Sequence, residues 1–255
     1  MLFYSIMKFL ANFIPTHNAR KRYRSWAKVK FSTQYQLDKT FERMKMAIGD
    51  PYGLGMADFI MFDCLKIAQR FANTIYSIPE NALILDCGMN RGKFTDLCLL
   101  FKANIVGFEP NPILASFLHR KYSAESLVSV QNSAVANNAG NMTFAFAGAT
   151  DDGASICPDF NRGNINLKTV QVDVINLAEY ILSKNEQIFI LKLDSEGAEF
   201  GLLEELCHSG AWKLCDHIFV ETHADFFEDG KAKLESARKA IADVGAAKVI
   251  DLGWV

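Results

Sequence analysis

Short apolar strands alternate with helical stretches from Pro79 to the end of the chain, and this alternation restricts the fold more than any other feature. Strands are predicted where apolar and β-branched residues run together, and helices where apolar residues recur every three to four positions. The predicted strands are 82–86, 104–109, 127–132, 142–148, 168–174, 187–194, 217–222 and 248–252, and the predicted helices are 92–102, 112–122, 177–183, 199–208 and 231–244. This order predicts an α/β domain with a mostly parallel sheet and helices on both faces.

The turn after the first strand reads Asp-x-Gly-x-Asn-x-Gly, with Asp86, Gly88, Asn90 and Gly92 as its fixed positions. Gly88 permits a tight turn and Gly92 a close helix approach, while the following helix start offers free N–H groups. The dinucleotide pattern Gly-x-Gly-x-x-Gly is incomplete because Asn90 replaces its second glycine. An NAD-linked oxidoreductase is therefore disfavoured. The carboxylate of Asp86 is instead predicted to receive a cationic amino group.

Glu109 ends the second predicted strand, where a carboxylate suits a pair of ribose hydroxyls. Pro110 follows it, and Asn132, Ser133 and Ala134 follow the third strand, where they are expected to border an adenine ring. An acid before the first turn together with an acid ending the second strand indicates a nucleoside site without phosphates. S-adenosylmethionine fits this description, with S-adenosylhomocysteine as the product of transfer.

Ionisable side chains also follow the two strands predicted at 187–194 and 217–222. The candidates are Lys192, Asp194, Glu196, Glu221 and His223, with Asp194 and His223 expected nearest to an acceptor. A hydroxyl acceptor needs a base that takes its proton as the new bond forms. Asp194, Glu221 and His223 also form a possible ligand set for a divalent metal ion, although use of a metal is not favoured. The polar loop at 150–155 is expected to close over the acceptor, unless it is only a surface loop.

Six sequence segments together resemble the FkbM family of methyltransferases. They read LDCGMNRGKFT, VGFEPNP, QNSAVANNAG, TDDGAS, LKLDSEGAEF and FVETH, and the similarity covers roughly residues 80–225. The resemblance implies a class I methyltransferase with a Rossmann-like sheet that methylates hydroxyls of sugars or other natural products. Two departures from the family pattern are Met89, where a small residue is usual, and little room for an antiparallel seventh strand.

The residues before Pro79 are predicted to form a helical extension, which divides the chain into domains at 1–78 and 79–255. The extension begins with a basic head, residues 1–37, followed by helices at about 36–48 and 56–77. The head carries a formal charge of +7 and the remainder −9. An apolar helical stripe beside Arg20–Arg24 is typical of a segment that lies on an anionic membrane. The alternative is packing of this stripe on the domain or on a second subunit in a homodimer.

The sequence predicts a cytoplasmic protein, with the basic head as a candidate for peripheral contact with the inner face of the membrane. Its six cysteines show no metal-binding or disulfide spacing, and the N-terminal segment lacks the pattern of a signal peptide. The acidic body opposes binding of nucleic acid. The leading functional hypothesis is an O-methyltransferase of a surface glycan or its precursor. The alternatives are a methyltransferase of a small natural-product hydroxyl and a non-catalytic cofactor-binding scaffold.

Overall fold

A computed structural model describes residues 71–147, 153–160 and 166–254. Contacts divide the chain into two units, with the boundary between Ser77 and Ile78. In the first unit the described residues form one helix, α1 (Ala72–Tyr76). The predicted basic head and the predicted helix at 36–48 lie outside the described residues. Among the residues that are described, no helix is long and apolar enough to cross a membrane.

Six parallel strands form the central sheet of the second unit, as far as its residues are described. They are β1 (Leu83–Cys87), β2 (Asn104–Phe108), β3 (Val128–Gln131), β7 (Ile188–Leu193), β8 (Cys215–Val220) and β9 (Ile250–Asp251), in the order β3-β2-β1-β7-β8-β9. From β1 the chain adds β2 and then β3 on one side, and from β7 it adds β8 and then β9 on the other, so the strand order reverses at the β1–β7 pair. Ligands of such open sheets bind at the carboxyl ends of the strands where the order reverses.

Five helices follow the strands of the second unit within the described ranges. They are α2 (Lys93–Leu99), α3 (Pro112–Lys121), α4 (Leu177–Lys184), α5 (Glu199–Ser209) and α6 (Gly230–Asp243), and short 3₁₀ turns cover Ala211–Leu214, Ala224–Phe226 and Ala246–Lys248. Because crossovers between parallel strands are almost always right-handed, we expect α2 and α3 on one face of the sheet and α5 and α6 on the other. Asn111 caps α3, because its side chain accepts a hydrogen bond from the Ile113 N–H.

A smaller sheet joins β4 (Ala134–Ala136), β5 (Gly140–Phe146) and β6 (Lys168–Asn176) in the order β4-β6-β5. The pairing of β5 with β6 is antiparallel and that of β4 with β6 is parallel. Alternating burial along β5 and β6 matches the alternation in their sequences. The three-residue strand β4 was not predicted, because a strand of that length shows no periodicity.

The structure confirms the predicted fold class, a mostly parallel Rossmann-like sheet with interleaved helices. Its main core surrounds β7, whose residues Ile188, Ile190, Leu191 and Leu193 are all at most 1% exposed. A strand buried on both faces must be apolar along its whole length, and β7 has this composition up to Lys192. The central strand thus holds the carboxyl edge of the sheet rigidly.

We expect Leu191→Ala to lower the free energy of unfolding by about 2–5 kcal/mol, because it leaves a cavity in the core. Leu182→Ala on α4 is the matched control, since Leu182 is 45% exposed. Urea denaturation followed by tryptophan fluorescence measures both changes, and the control is expected to stay within about 0.5 kcal/mol of wild type. Equal losses in the two variants would contradict the assignment of β7 to the core.

Candidate active site

A cavity opens at the carboxyl edge of the central sheet, beside the β1–β7 pair. Eight of the residues predicted from the sequence line it: Gly88, Asn90, Glu109, Pro110, Ser133, Ala134, Asp194 and Glu196. The other predicted site residues do not appear in its wall: Asp86, Gly92, Asn132, Lys192, Glu221 and His223. Residues of the first group can therefore contact a ligand in the cavity. Residues of the second group can influence a ligand only through the lining residues or from the border of the cavity.

The turn after β1 brings two backbones into close contact. Gly88 has a φ of 81°, and a β-carbon there would clash with the carbonyl oxygen of Asp194. The N–H groups of Gly88 and Met89 both donate to the Phe108 carbonyl at 3.0 and 3.1 Å. The Met89 side chain is 3% exposed and packs with Leu118 under the turn. Met89, which departs from the family pattern, is therefore a core residue and not part of the cavity wall.

The Glu109 carboxylate is fixed by two backbone donors. The N–H of Asn90 donates to Oε2 at 2.7 Å, and the N–H of Asn111 donates to Oε1 at 2.9 Å. Asn90 has a φ of 51°, a conformation that asparagine tolerates better than most residues. Burial raises the pKa of Glu109 to about 7, although both hydrogen bonds oppose the shift. Glu109 is therefore a preformed hydrogen-bond acceptor with a pKa close to neutral pH.

Asn132 and Ser133 follow β3 and act differently. The Asn132 side chain donates to the carbonyls of Glu109 and Pro110 at 2.9 and 3.3 Å, so it braces the loop after β2 from outside the cavity. Ser133 lines the cavity and is 5% exposed, and its hydroxyl has no hydrogen-bond partner among the described residues. A buried hydroxyl without a partner costs free energy, which favours a ligand atom as its partner.

Asp86 lies beneath the cavity and is fully buried. Its carboxylate accepts a hydrogen bond from Thr95 at 2.7 Å and lies 3.3 Å from Lys192 Nζ. Burial raises the pKa of Asp86, and Lys192 partly offsets the shift. The structure thus places Asp86 as the counter-ion of Lys192, and direct contact with a cofactor amino group remains a prediction.

Lys192 joins the turn after β1 to the residues after β7. Its ammonium donates to the Gly88 carbonyl at 2.6 Å and lies 3.1 Å from Asp194 Oδ2. Burial opposes its charge, but Asp194 and Asp86 outweigh burial and raise the pKa of Lys192. The ammonium therefore stays charged at neutral pH and pairs with Asp194. The sequence predicted that Lys192 would orient either a carboxylate or the substrate.

His223 lies in the middle of four carboxylates. Glu199 Oε1 accepts from the His223 backbone N–H at 2.8 Å and lies 3.1 Å from Nδ1, while Glu199 Oε2 accepts from the Gly197 N–H at 2.7 Å. On the other side of the ring, Nε2 lies 3.3 Å from Glu196 Oε2. Asp194 Oδ1 and Glu221 Oε1 are each 3.9 Å from Nε2. The four residues predicted to gather around an acceptor, Asp194, Glu196, Glu221 and His223, do come together.

The carboxylates of this cluster shift one another's titration. Burial disfavours the His223 imidazolium, but Glu199, Glu196 and Asp194 outweigh burial and raise the pKa of His223 to about 9. Burial raises the pKa of Glu196 to about 8 and that of Glu221 to about 7, and each shift is increased by neighbouring carboxylates. Because the cluster has more carboxylates than cations, Glu196, Glu221 and His223 each bind a proton more tightly than they would in water.

The importance of Glu199 was missed in the sequence. An acid at a helix start is usually explained by the helix dipole, and α5 begins at Glu199. The side chain instead turns back to hold His223 and is 0% exposed. The signal was its place two residues after Gly197, whose φ of 103° lets the chain turn so that the carboxylate reaches the Gly197 N–H.

The loop after β5 covers part of the cavity. Ala154 and Ile156 line it, and the Ser155 hydroxyl donates to the Glu196 carbonyl at 2.5 Å. Glu196 itself has a φ of 49°, so this bond supports an uncommon backbone conformation. Residues 150–152 of the loop lie outside the described residues. Its described part is therefore a fixed wall of the site, and closure over an acceptor stays a prediction.

A family model of the methyltransferase FkbM domain matches residues 86–246, which include every candidate residue described above. The chain belongs to this family. The match to the FkbM family makes the protein a methyltransferase and confirms the resemblance seen in the sequence. No curated protein matches the chain.

We expect Lys192→Met to lower the free energy of unfolding of this FkbM methyltransferase by about 3–5 kcal/mol, because it leaves Asp86 buried without a counter-ion. Adding Asp86→Asn is expected to recover part of the loss. Lys102→Met is the control, since its pair with Glu80 is 68% and 61% exposed and contributes about 0–1 kcal/mol. Denaturant unfolding measures all variants, and a loss no larger than that of the control would contradict the role of Lys192.

Proposed function

We propose that the protein is an S-adenosylmethionine-dependent O-methyltransferase that methylates a sugar hydroxyl of a surface glycan or glycan precursor. The observation that carries this proposal is one cavity lined by two chemically different groups of residues, here called its two ends. Glu109 and Ser133, which follow β2 and β3, form the first end, and Asp194 and Glu196, which follow β7, form the second. A nucleoside fits the first end and an acceptor with a reactive proton fits the second.

The residues of the first end fit the nucleoside part of the cofactor. Glu109 is held by backbone N–H groups and lines the cavity, so it can accept from ribose hydroxyls. The buried hydroxyls of Ser133 and Ser195 both line the cavity and lack partners among the described residues. When bound, S-adenosylmethionine supplies a methyl group activated by a positively charged sulfur. Asp194 lies in the same wall and provides a negative charge toward that centre.

The residues of the second end suit the handling of a hydroxyl proton. A sugar hydroxyl is a weak nucleophile, and a positioned base contributes about 10²–10⁴-fold to such a reaction. Asp194 lines the cavity in an orientation fixed by Lys192, and His223 is fixed by Glu199. The proton of the acceptor passes into this cluster, and the surrounding carboxylates stabilise the charge that it brings. Holding the acceptor in one orientation accounts for a further part of the rate.

An exposed aromatic ring beside the cluster supports a sugar as the acceptor. Phe226 is 41% exposed and stacks on Phe160 at a centroid distance of 4.7 Å. Its ring centroid is 6.0 Å from that of His223. A ring fixed in this way offers an apolar face next to several hydrogen-bond acceptors, a combination that suits a pyranose. The proposal also includes a glycan substrate, a cytoplasmic location and membrane contact through residues 1–37. These three parts are inferred from the sequence.

Removal of the charge on Asp194 tests the transfer step. In Asp194→Asn and His223→Gln we expect transfer of labelled methyl to a panel of glycosides to fall by about 10²–10⁴-fold. Binding of S-adenosylhomocysteine, measured by calorimetry, is expected to persist in His223→Gln. Glu204→Gln on the exposed face of α5 is the control. If the wild type and all variants bind S-adenosylhomocysteine but transfer no methyl group, the result would favour a non-catalytic cofactor-binding scaffold. Binding of NAD without binding of S-adenosylhomocysteine would overturn the proposal.

The pH dependence of nucleoside binding tests Glu109 separately. Because burial raises the pKa of Glu109 to about 7, the free protein holds a proton there below this pH. Ribose hydroxyls donate to the charged form, so affinity for 5′-methylthioadenosine is expected to rise between pH 6 and pH 8 and then level off. This probe lacks the α-amino and carboxyl groups of methionine and does not itself titrate between pH 6 and pH 8, so a pH-dependent affinity comes from the protein, and the Glu109→Gln variant shows whether Glu109 is its source. In Glu109→Gln the affinity is expected to be weak and flat with pH, and a pH-dependent variant would contradict the assignment.

A further inference from the structure

We propose that Asp194, Glu196 and His223 form a binding site for a divalent cation at the acceptor end of the cavity. One ligand atom from each of the three residues lies within 4.8 Å of the other two. Two of the residues, Asp194 and Glu196, line the cavity, so an ion held there faces its contents. The set differs from the one considered from the sequence, because Glu196 replaces Glu221 as the second carboxylate.

The distances between ligand atoms suit an ion of ordinary size. Nε2 of His223 lies 3.3 Å from Glu196 Oε2 and 3.9 Å from Asp194 Oδ1. An octahedral ion with ligands at ~2.1 Å needs neighbouring ligand atoms ~3 Å apart and opposite ones ~4.2 Å apart. The distance to Glu196 is close to the first of these values, and the distance to Asp194 is close to the second. Two carboxylates and one imidazole, without a thiolate, suit a divalent ion such as Mn²⁺ better than Mg²⁺, which prefers oxygen ligands alone.

The imidazole of His223 is held in the way that is usual for a metal-binding histidine. The side chain is 9% exposed, and Nε2 faces Glu196 Oε2 at 3.3 Å and the carboxylates of Asp194 and Glu221 at 3.9 Å. On the other side of the ring, Nδ1 lies 3.1 Å from Glu199 Oε1. A histidine that binds a metal commonly donates its other N–H to a carboxylate, which fixes the ring and presents the free nitrogen. Glu199, fully buried and bound by two backbone N–H groups, is built for this supporting role.

The charges around the site leave room for a cation. Asp194, Glu196, Glu199 and Glu221 all approach His223 within 3.9 Å. Lys192, the nearby ammonium, is shared between Asp194, Asp86 and the Gly88 carbonyl. A divalent ion would neutralise the carboxylates that Lys192 does not serve. Binding of the ion is independent of the proposed function, but its use in orienting an acceptor hydroxyl rests on that function.

Titration of the full-length protein with MnCl₂ tests the site. The sharp electron paramagnetic resonance spectrum of free Mn²⁺ loses intensity on binding, and we expect one ion per chain. Glu196→Gln removes a ligand charge and is expected to weaken binding by at least about 10-fold. Glu199→Gln changes only the support of His223, and a loss of about 10–100-fold is expected. Glu204→Gln and His208→Gln, both on the exposed face of α5, are the matched controls.

Two results would overturn the site: no binding at millimolar Mn²⁺, or equal affinity in wild type and Glu196→Gln. Circular dichroism and binding of S-adenosylhomocysteine show whether each variant is folded, and Asp194→Asn provides a second test if Glu196→Gln is not. The two proposals fail separately. Mn²⁺ binding without S-adenosylhomocysteine binding would leave the metal site standing and refute the cofactor, and the converse would refute only the metal site.

Discussion

The buried ammonium of Lys192 is the interaction on which the candidate site depends. Parallel pairing of β1 with β7 sets Asp86 directly opposite Lys192. The ammonium reaches the carbonyl of Gly88 and the carboxylate of Asp194, which follow the two strands. A single buried charge thus fixes the turn after β1 and the residues after β7 relative to each other. An arginine could not replace it easily, because its planar guanidinium would need more space in this contact.

Close contact of the same two strand ends explains the glycine at the turn. The Asp194 N–H donates to the Cys87 carbonyl at 3.1 Å, which continues the pairing of β1 with β7 beyond the strands. Only a residue without a β-carbon fits beside the Asp194 carbonyl at Gly88. The cavity residues after β1 and those after β7 are therefore built on one continuous backbone contact. A change in register between β1 and β7 would separate the two groups.

The sequence predicts strands and contact residues better than it predicts what each polar group contacts. Alternation of apolar runs located all six strands of the central sheet, and the position of Glu109 at a strand end was enough to place it in the cavity wall. Asp86 occupies the predicted position but contacts Lys192, because which neighbour a buried acid meets depends on strand order. Glu199 was missed for a related reason, since only the turn at Gly197 brings it to His223.

The carboxylates of the site differ in how their charge is satisfied. Each oxygen of Glu109 accepts from a backbone N–H, and Glu199 accepts from two, so the fold itself stabilises both groups. Within the described part of the chain, the side-chain oxygens of Glu196 and Glu221 have no such donors and form ion pairs with His223. Like charges in a half-buried space repel unless a cation or a proton lies between them. Carboxylates held by the backbone are therefore parts of the frame, whereas Glu196 and Glu221 are the groups that a bound proton or cation would stabilise.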